Sequence, residues 1–285
     1  MRRNHIITIS ELQEALPAGH IRLLDATFVL PTMQRDAEAE FAATHIPGAQ
    51  FFDIDKIADE TVDLPHMLPD ASAFAASVRA LGINSDSPIV VYDNSPFLSA
   101  ARCWWMFRYF GHEDIRVLDG GLSGWIAAGG VVSNEAKTPI AGNFQASQPK
   151  NVGHIAYTEL RAAIESDAAP QIIDARAAPR FEGSAPEPRA GLSSGHMPGA
   201  CNLPISTLLN ENGFLRSDAE IKALFESLPV DFTQPLITSC GSGVTAAGLT
   251  LGLAILGIEN VRLYDGSWSE WASHADSPIE KGPAD

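Results

Sequence analysis

The sequence predicts an α/β protein of two tandem domains, each a mostly parallel sheet flanked by helices. Three observations carry that expectation. The chain is written twice, its strands are nearly continuous apolar runs alternating with helical patterns, and a polar stretch without period separates the two copies.

Laid over the first half, the second half repeats it block by block. "ITISELQEAL" returns as "IAYTELRAAI", matching Ser10 with Thr158, and "LLDA" returns as "IIDA", matching Asp25 with Asp174. "THIPGAQFFDI" returns as "GHMPGACNLPI", matching His45 with His196, and "PIVVYDNS" returns as "PLITSCGS". "IRVLDGGLSGW" and "VRLYDGSWSEW" pair Trp125 with Trp271, and the offset stays between 146 and 151 residues across all five blocks. Chance similarity does not hold register over so many blocks.

Each copy reads as capped helix, strand, loop, short strand, helix, apolar strand, helix, strand and terminal helix. Ser10 with Gln13, and Ser217 with Glu220, have the spacing of a capping box. The runs "IRLLDA", "PIVVYD" and "IRVLD" and their counterparts have the apolar continuity of parallel strands covered on both faces. These readings divide the chain into an N-terminal domain, 1–132, a linker, 133–155, and a C-terminal domain, 156–285. The linker "SNEAKTPIAGNFQASQPKNVGHI" is polar, contains Pro and Gly, and is expected to wrap along the surface. Two similar domains side by side make a site between them the natural expectation.

Composition narrows the partners. A formal net charge of -16 argues against nucleic acid or an anionic membrane as the main partner, since both reward concentrated Lys and Arg. The N-terminal stretch has two arginines but no apolar signal core, and no run is long enough to span a bilayer, so a cytoplasmic setting is expected. Three cysteines, Cys103, Cys201 and Cys240, have no metal-ligand spacing and fit reduced thiols better than a disulfide framework. The internal pair of domains makes a monomer the simpler expectation.

The asymmetry between the copies points to the chemistry. "TSCGSGVTAAG", Thr238 to Gly248, places Cys240 between a buried strand and a helix of small apolar residues, where an α/β sheet binds its ligands. The first copy has Asp93 at the aligned position and so lacks the nucleophile. Gly241 and Gly243 permit a tight turn with amides directed inward, and the helix starting near Val244 presents its positive end to the same point. Such a cradle favours a thiolate over a thiol. Cys103 and Cys201 sit in apolar segments and read as core.

The paired "DA", "HIPGA" or "HMPGA" and "DG…W" blocks, together with "CGSGVT", resemble the tandem rhodanese family, and within it the 3-mercaptopyruvate sulfurtransferases. The resemblance runs from about Ile9 to Trp271. It implies two rhodanese-like domains with the catalytic loop in the second, where Gly241, Gly243, Val244 and Thr245 line the donor beside Cys240. Thiosulfate-using relatives typically carry charge inside this loop, whereas here it is neutral. Donor-binding cations must then come from outside it. The resemblance supplies Arg180 and Arg189 of "RFEGSAPEPR" for the carboxylate and keto oxygen of the donor, a pairing that suits guanidinium forks. Read without the family, these are two arginines free to pair with Glu182 or Glu187.

The resemblance also draws Asp55 and His66, from "FFDID…HMLP" in the first domain, into a set with Ser242 that manages a proton. His45 and His196 occur in both copies, including the one without a nucleophile, so a structural hydrogen bond in the turn is expected of them. The paired Asp25 and Asp174 follow the same logic. Arg102 is a cation near the domain interface with no assigned part.

The implied reaction moves sulfur from 3-mercaptopyruvate to Cys240 as a persulfide, then to a thiol, thioredoxin or cyanide, with no metal or organic cofactor. The alternatives are a thiosulfate sulfurtransferase and a non-catalytic persulfide relay module. A cysteine phosphatase would need an arginine near the end of the loop, where Ala246 and Ala247 stand.

Overall fold

The structure, a computed structural model, describes residues 1–147, 153–166 and 170–283. The first copy runs β1 (Ile6–Ile7), α1 (Ile9–Ala15), β2 (Arg22–Asp25), α2 (Ala37–Ala43), β3 (Gln50–Phe51), α3 (Ala71–Ala80), β4 (Ile89–Tyr92), α4 (Ala100–Tyr109), β5 (Ile115–Leu118) and α5 (Gly121–Ala127). The second runs β6 (Gly153–Ile155), α6 (Tyr157–Ile164), β7 (Gln171–Asp174), α7 (Ala178–Phe181), β8 (Ala200–Asn202), α8 (Asp218–Glu226), β9 (Leu236–Ser239), α9 (Val244–Ile255), β10 (Val261–Tyr264) and α10 (Ser267–Trp271).

The two sheets have one topology: β1-β5-β4-β2-β3 in the first copy and β6-β10-β9-β7-β8 in the second. Every strand pair in both is parallel. Buried side chains on both faces explain the apolar continuity of the strands: β4 and β9 are buried at all four positions. Among the described residues no helix is long and apolar enough to cross a membrane.

Three local readings change. The first helix is capped by Thr8 with Glu11, not by Ser10 with Gln13, because the helix starts two residues earlier and Ser10 already lies inside it. The box at Ser217 and Glu220 forms as the spacing implies. Gly153–Ile155, read as the end of the linker, instead form the edge strand β6 against β10. A three-residue edge strand is too short to show a period. Earlier in that segment Phe144 is buried in the first domain's core, and the backbone of Gly142 and Phe144 pairs with Arg79 and Ile83. Residues 148–152 of the linker lie outside the described residues.

The copies meet through α4 and α9. Helix α4 buries eight consecutive residues, Ala100 to Phe107, and α9 buries all but Thr245. A helix apolar all round must be covered all round, by its own sheet on one side and a partner on the other. One continuous core therefore extends from Phe74 and Phe107 in the first copy to Leu249 and Phe225 in the second.

Candidate active site

Strand β9 ends at Ser239, and Cys240 opens the turn into α9. The turn is tied down by α10. The Ser267 hydroxyl accepts from the amides of Cys240 and Gly243, each at 3.1 Å, and donates to the carbonyl of Tyr264 at 2.7 Å. The amides of Trp268 and Ser269 donate to the carbonyls of Cys240 and Gly241, both at 2.9 Å. Not every loop amide therefore turns inward, as the sequence suggests. Those of Gly241, Ser242, Val244 and Thr245 have no protein acceptor among the described residues, which leaves them available to an anion.

The two loop glycines act differently. Gly243 has φ of +78°, the left-handed turn that starts α9, and a Cβ there would stand 2.9 Å from the Asp265 carbonyl. Gly241 makes room for a cation, since its Cβ would stand 3.0 Å from Nη2 of Arg180.

Arg180, at the end of α7, lies against the loop, but its guanidinium also forks onto Glu187, with Nη2 to Oε2 at 2.5 Å. The alternative pairing with Glu187 is thus real and coexists with the approach to Gly241. Glu187 is buried between Arg180 and Arg176, and Arg176 in turn pairs with Asp174 at 2.7 Å and stacks 4.2 Å over Trp268. Arg189 donates to Ser269 at 3.4 Å, and Ser269 holds the Gly241 carbonyl at 2.6 Å. Burial pulls the Arg189 guanidinium below its usual pKa, while the nearby Cys240 pulls the other way.

From the first copy come Asp55 and His66. His66 Nδ1 lies 2.9 Å from Ser242 Oγ, and its Nε2 lies 2.8 Å from Asp55 Oδ1. The imidazole is buried, with a ring edge on Phe28, while Asp55 reaches it from the solvent side. The hydrogen bond from His66 holds the Asp55 carboxyl below its ordinary pKa. The chain Asp55–His66–Ser242 crosses the domain interface and ends two residues from Cys240.

The other candidates fall elsewhere. His45 and His196 bond the carbonyls of Phe41 and Phe181 and stack on those rings, fixing their turns. Asp25 accepts from Thr27, and Asp174 from Arg176. Cys103 and Cys201 are buried free thiols whose pKa burial raises, Cys201 to about 12. Sequence reasoning named Glu187 as a partner for the arginines but missed Ser267, Ser269, Arg176 and Asp265. The recurrence of "DG" in both copies could have flagged the last, and nothing in the pattern singles out the serines.

The rhodanese-like domain model matches residues 8–128 and 156–274. The chain is 44% identical over 271 residues to the 3-mercaptopyruvate sulfurtransferase of Escherichia coli (strain K12), covering 94% of this chain and 95% of that one. It is 40% identical over 295 residues to thiosulfate/3-mercaptopyruvate sulfurtransferase 1, mitochondrial, of Arabidopsis thaliana, covering 96% and 78%. Among solved structures, the crystal structure of SseA from Escherichia coli, described as a 3-mercaptopyruvate sulfotransferase, superposes with a TM-score of 0.83 at 39% identity over 92% of this chain and 98% of that one. Two matched copies, one topology twice over and a cysteine loop at the end of β9 place this chain in the rhodanese family.

Proposed function

We propose that the protein is a sulfurtransferase that takes sulfur from 3-mercaptopyruvate through a persulfide on Cys240 and releases pyruvate. The observation that carries this reading is the loop itself: a buried cysteine in a turn without charged side chains, with Arg180 and Arg189 brought to it from outside. A compact dianion such as thiosulfate gains most from a cation beside the sulfur. A donor whose carboxylate lies farther from its sulfur is better served by arginines set back from the cysteine.

In the proposed cycle Arg180 and Arg189 hold the donor carboxylate and keto oxygen, with Gly241, Gly243, Val244 and Thr245 lining its path. The Cys240 thiolate attacks the donor sulfur, forming the S–S bond. The C–S bond breaks, and its electron pair leaves on pyruvate enolate, stabilised by the arginines and the Ser242 hydroxyl. The proton of the donor thiol passes to the enolate carbon, with Ser242, His66 and Asp55 managing the transfer. The persulfide anion rests against the free loop amides until a thiol, thioredoxin or cyanide removes the outer sulfur. No metal or organic cofactor enters these steps.

In this reading residues 1–132 are a non-catalytic copy with Asp93 at the cysteine position, residues 133–152 a linker, and 153–285, opened by β6, the catalytic domain, together a monomer. Three free thiols fit a reducing, cytoplasmic setting. The test is sulfur transfer to cyanide with 3-mercaptopyruvate and thiosulfate compared on wild-type and Cys240→Ser protein. Preference for mercaptopyruvate that vanishes with the cysteine supports the reading. Preference for thiosulfate overturns the donor, and turnover of neither favours a relay module.

A further inference from the structure

We infer that Arg102 is a positioning residue for the reaction: it spans the domain interface and sets His66 and the Cys240 loop in register. The inference rests on the proposed set Asp55, His66 and Ser242.

Arg102 lies on α4 of the first copy and is completely buried, with 0% exposure, yet its guanidinium is aimed at two acceptors rather than saturated. Nη1 donates to Asp265 Oδ1 and Nη2 to the carbonyl of His66, each at 2.5 Å, while Nε finds no acceptor among the described residues. A buried guanidinium whose Nε has no acceptor is not placed for stability alone, because the orphaned donor costs free energy. It lies over the Trp105 ring, with Cζ 4.8 Å from the centroid, and its edge is directed by what Nη1 and Nη2 hold.

Both acceptors lead to the site. His66 has φ of +59°, the left-handed region that a residue with a side chain adopts only when its surroundings enforce it. Arg102 grips the carbonyl of that residue. The amide of Leu68, two residues on, donates to the other oxygen of Asp265 at 2.5 Å, so Asp265 closes the loop that carries the imidazole from the far side. Asp265 also touches the cysteine turn: its carbonyl and carboxylate both stand 2.9 Å from where a Gly243 Cβ would be, and Arg102 Nη1 stands 3.0 Å from it. One ion pair between the copies thus backs both ends of the Ser242–His66 hydrogen bond. Without it the peptide after His66 is free to relax toward negative φ, turning the imidazole away from Ser242.

The test measures persulfide formation in a single turnover with 3-mercaptopyruvate, alongside thermal unfolding, in five proteins. These are the wild type, His66→Ala, Arg102→Lys, the double variant Arg102→Met/Asp265→Asn, and that double variant combined with His66→Ala. The double variant removes both charges, so neither is stranded in the core. Arg102→Lys keeps a charge but cannot fork to two acceptors, and serves should the double variant unfold. Misplacing a catalytic group by about an ångström costs up to about a hundredfold, so both Arg102 variants are expected to slow the step by about tenfold or more. Their pH–rate profile should take the form of His66→Ala. In the His66→Ala background the same changes should alter the rate less than about twofold, since coupled residues are not additive. An unchanged rate, or the full loss repeated without His66, overturns the inference and leaves the triad standing. An unchanged rate in His66→Ala alone overturns the triad and the inference with it.

Discussion

Ser267→Ala removes one oxygen that no motif announces, and the structure gives it a large effect. That oxygen accepts from the Cys240 and Gly243 amides and donates to the Tyr264 carbonyl, at a position with 0% exposure. Alanine leaves two buried N–H groups without an acceptor. Each orphaned donor costs about 1–3 kcal/mol, and the lost methyl-sized volume is small, so the sum is about 3 kcal/mol or somewhat more. At about 3 °C per kcal/mol for a domain of this size, the midpoint of thermal unfolding should fall by about 9 °C. Ser267 also has φ of +50°, so Ser267→Gly relieves a left-handed strain that Ala retains and should lose less. Differential scanning calorimetry of the three proteins, with persulfide formation on each, is the assay. A midpoint within a degree of wild type in Ser267→Ala would refute the reasoning, because it would mean that the loop amides do not depend on the hydroxyl.

Cys240→Ser should leave the midpoint nearly unchanged and abolish the gain of one sulfur atom seen by mass spectrometry after donor treatment; a retained adduct would move the nucleophile elsewhere. Arg189→Ala should lower kcat/KM for mercaptopyruvate by about ten- to a hundredfold, mainly through KM, by loss of a charge-assisted contact of about 1.5–3 kcal/mol. An unchanged KM would return Arg189 to a structural part as the holder of Ser269. Asp93 has its pKa raised by burial from 3.8 to about 6. The unfolded chain releases that proton first, so relative to pH below about 4 this carboxyl lowers stability progressively as pH rises to about 6, by about 3 kcal/mol in all. Asp93→Asn should therefore raise the unfolding midpoint at pH 8 but not at pH 4, and a gain independent of pH would refute the titration.

What was legible in the sequence follows from range. The sheets could be read because a parallel strand buried on both faces must be apolar at every position, as at Ile89–Tyr92 and Leu236–Ser239. The cysteine turn was legible for a local reason too, since Gly243 needs positive φ where strand gives way to helix. The start of α1 was misread because Thr8 and Ser10 both offer a capping hydroxyl, and only the packing of Ile9 and Leu12 decides between them. Ser267 and Asp265 stayed hidden because their partners lie 24 or more residues away, or in the other copy: 27 residues from Ser267 to Cys240 and 163 from Asp265 to Arg102. The family resemblance nominated Asp55 and His66, which no periodicity could have joined to Ser242 across 176 residues.

The same geometry explains why a copy without a nucleophile is kept. At Asp93 the carboxylate caps its own α4, accepting from the Ala100 amide at 2.7 Å and the Ser99 hydroxyl at 3.2 Å. The Asp93 side chain occupies the position that aligns with Cys240 in the second copy, so the first loop is filled by its own carboxyl group. Capping α4 in this way also steadies the helix that carries Arg102 to the interface. The first copy supplies Asp55, His66 and Arg102, and the second supplies Cys240, Ser242 and Asp265. The His66–Ser242 and Arg102–Asp265 contacts cross between the copies, which also pack α4 against α9, where α9 would otherwise expose an apolar face. Burial of that seam thus goes with the placing of His66 against Ser242 and of Arg102 against Asp265, and without the first copy α9 would present apolar surface to solvent.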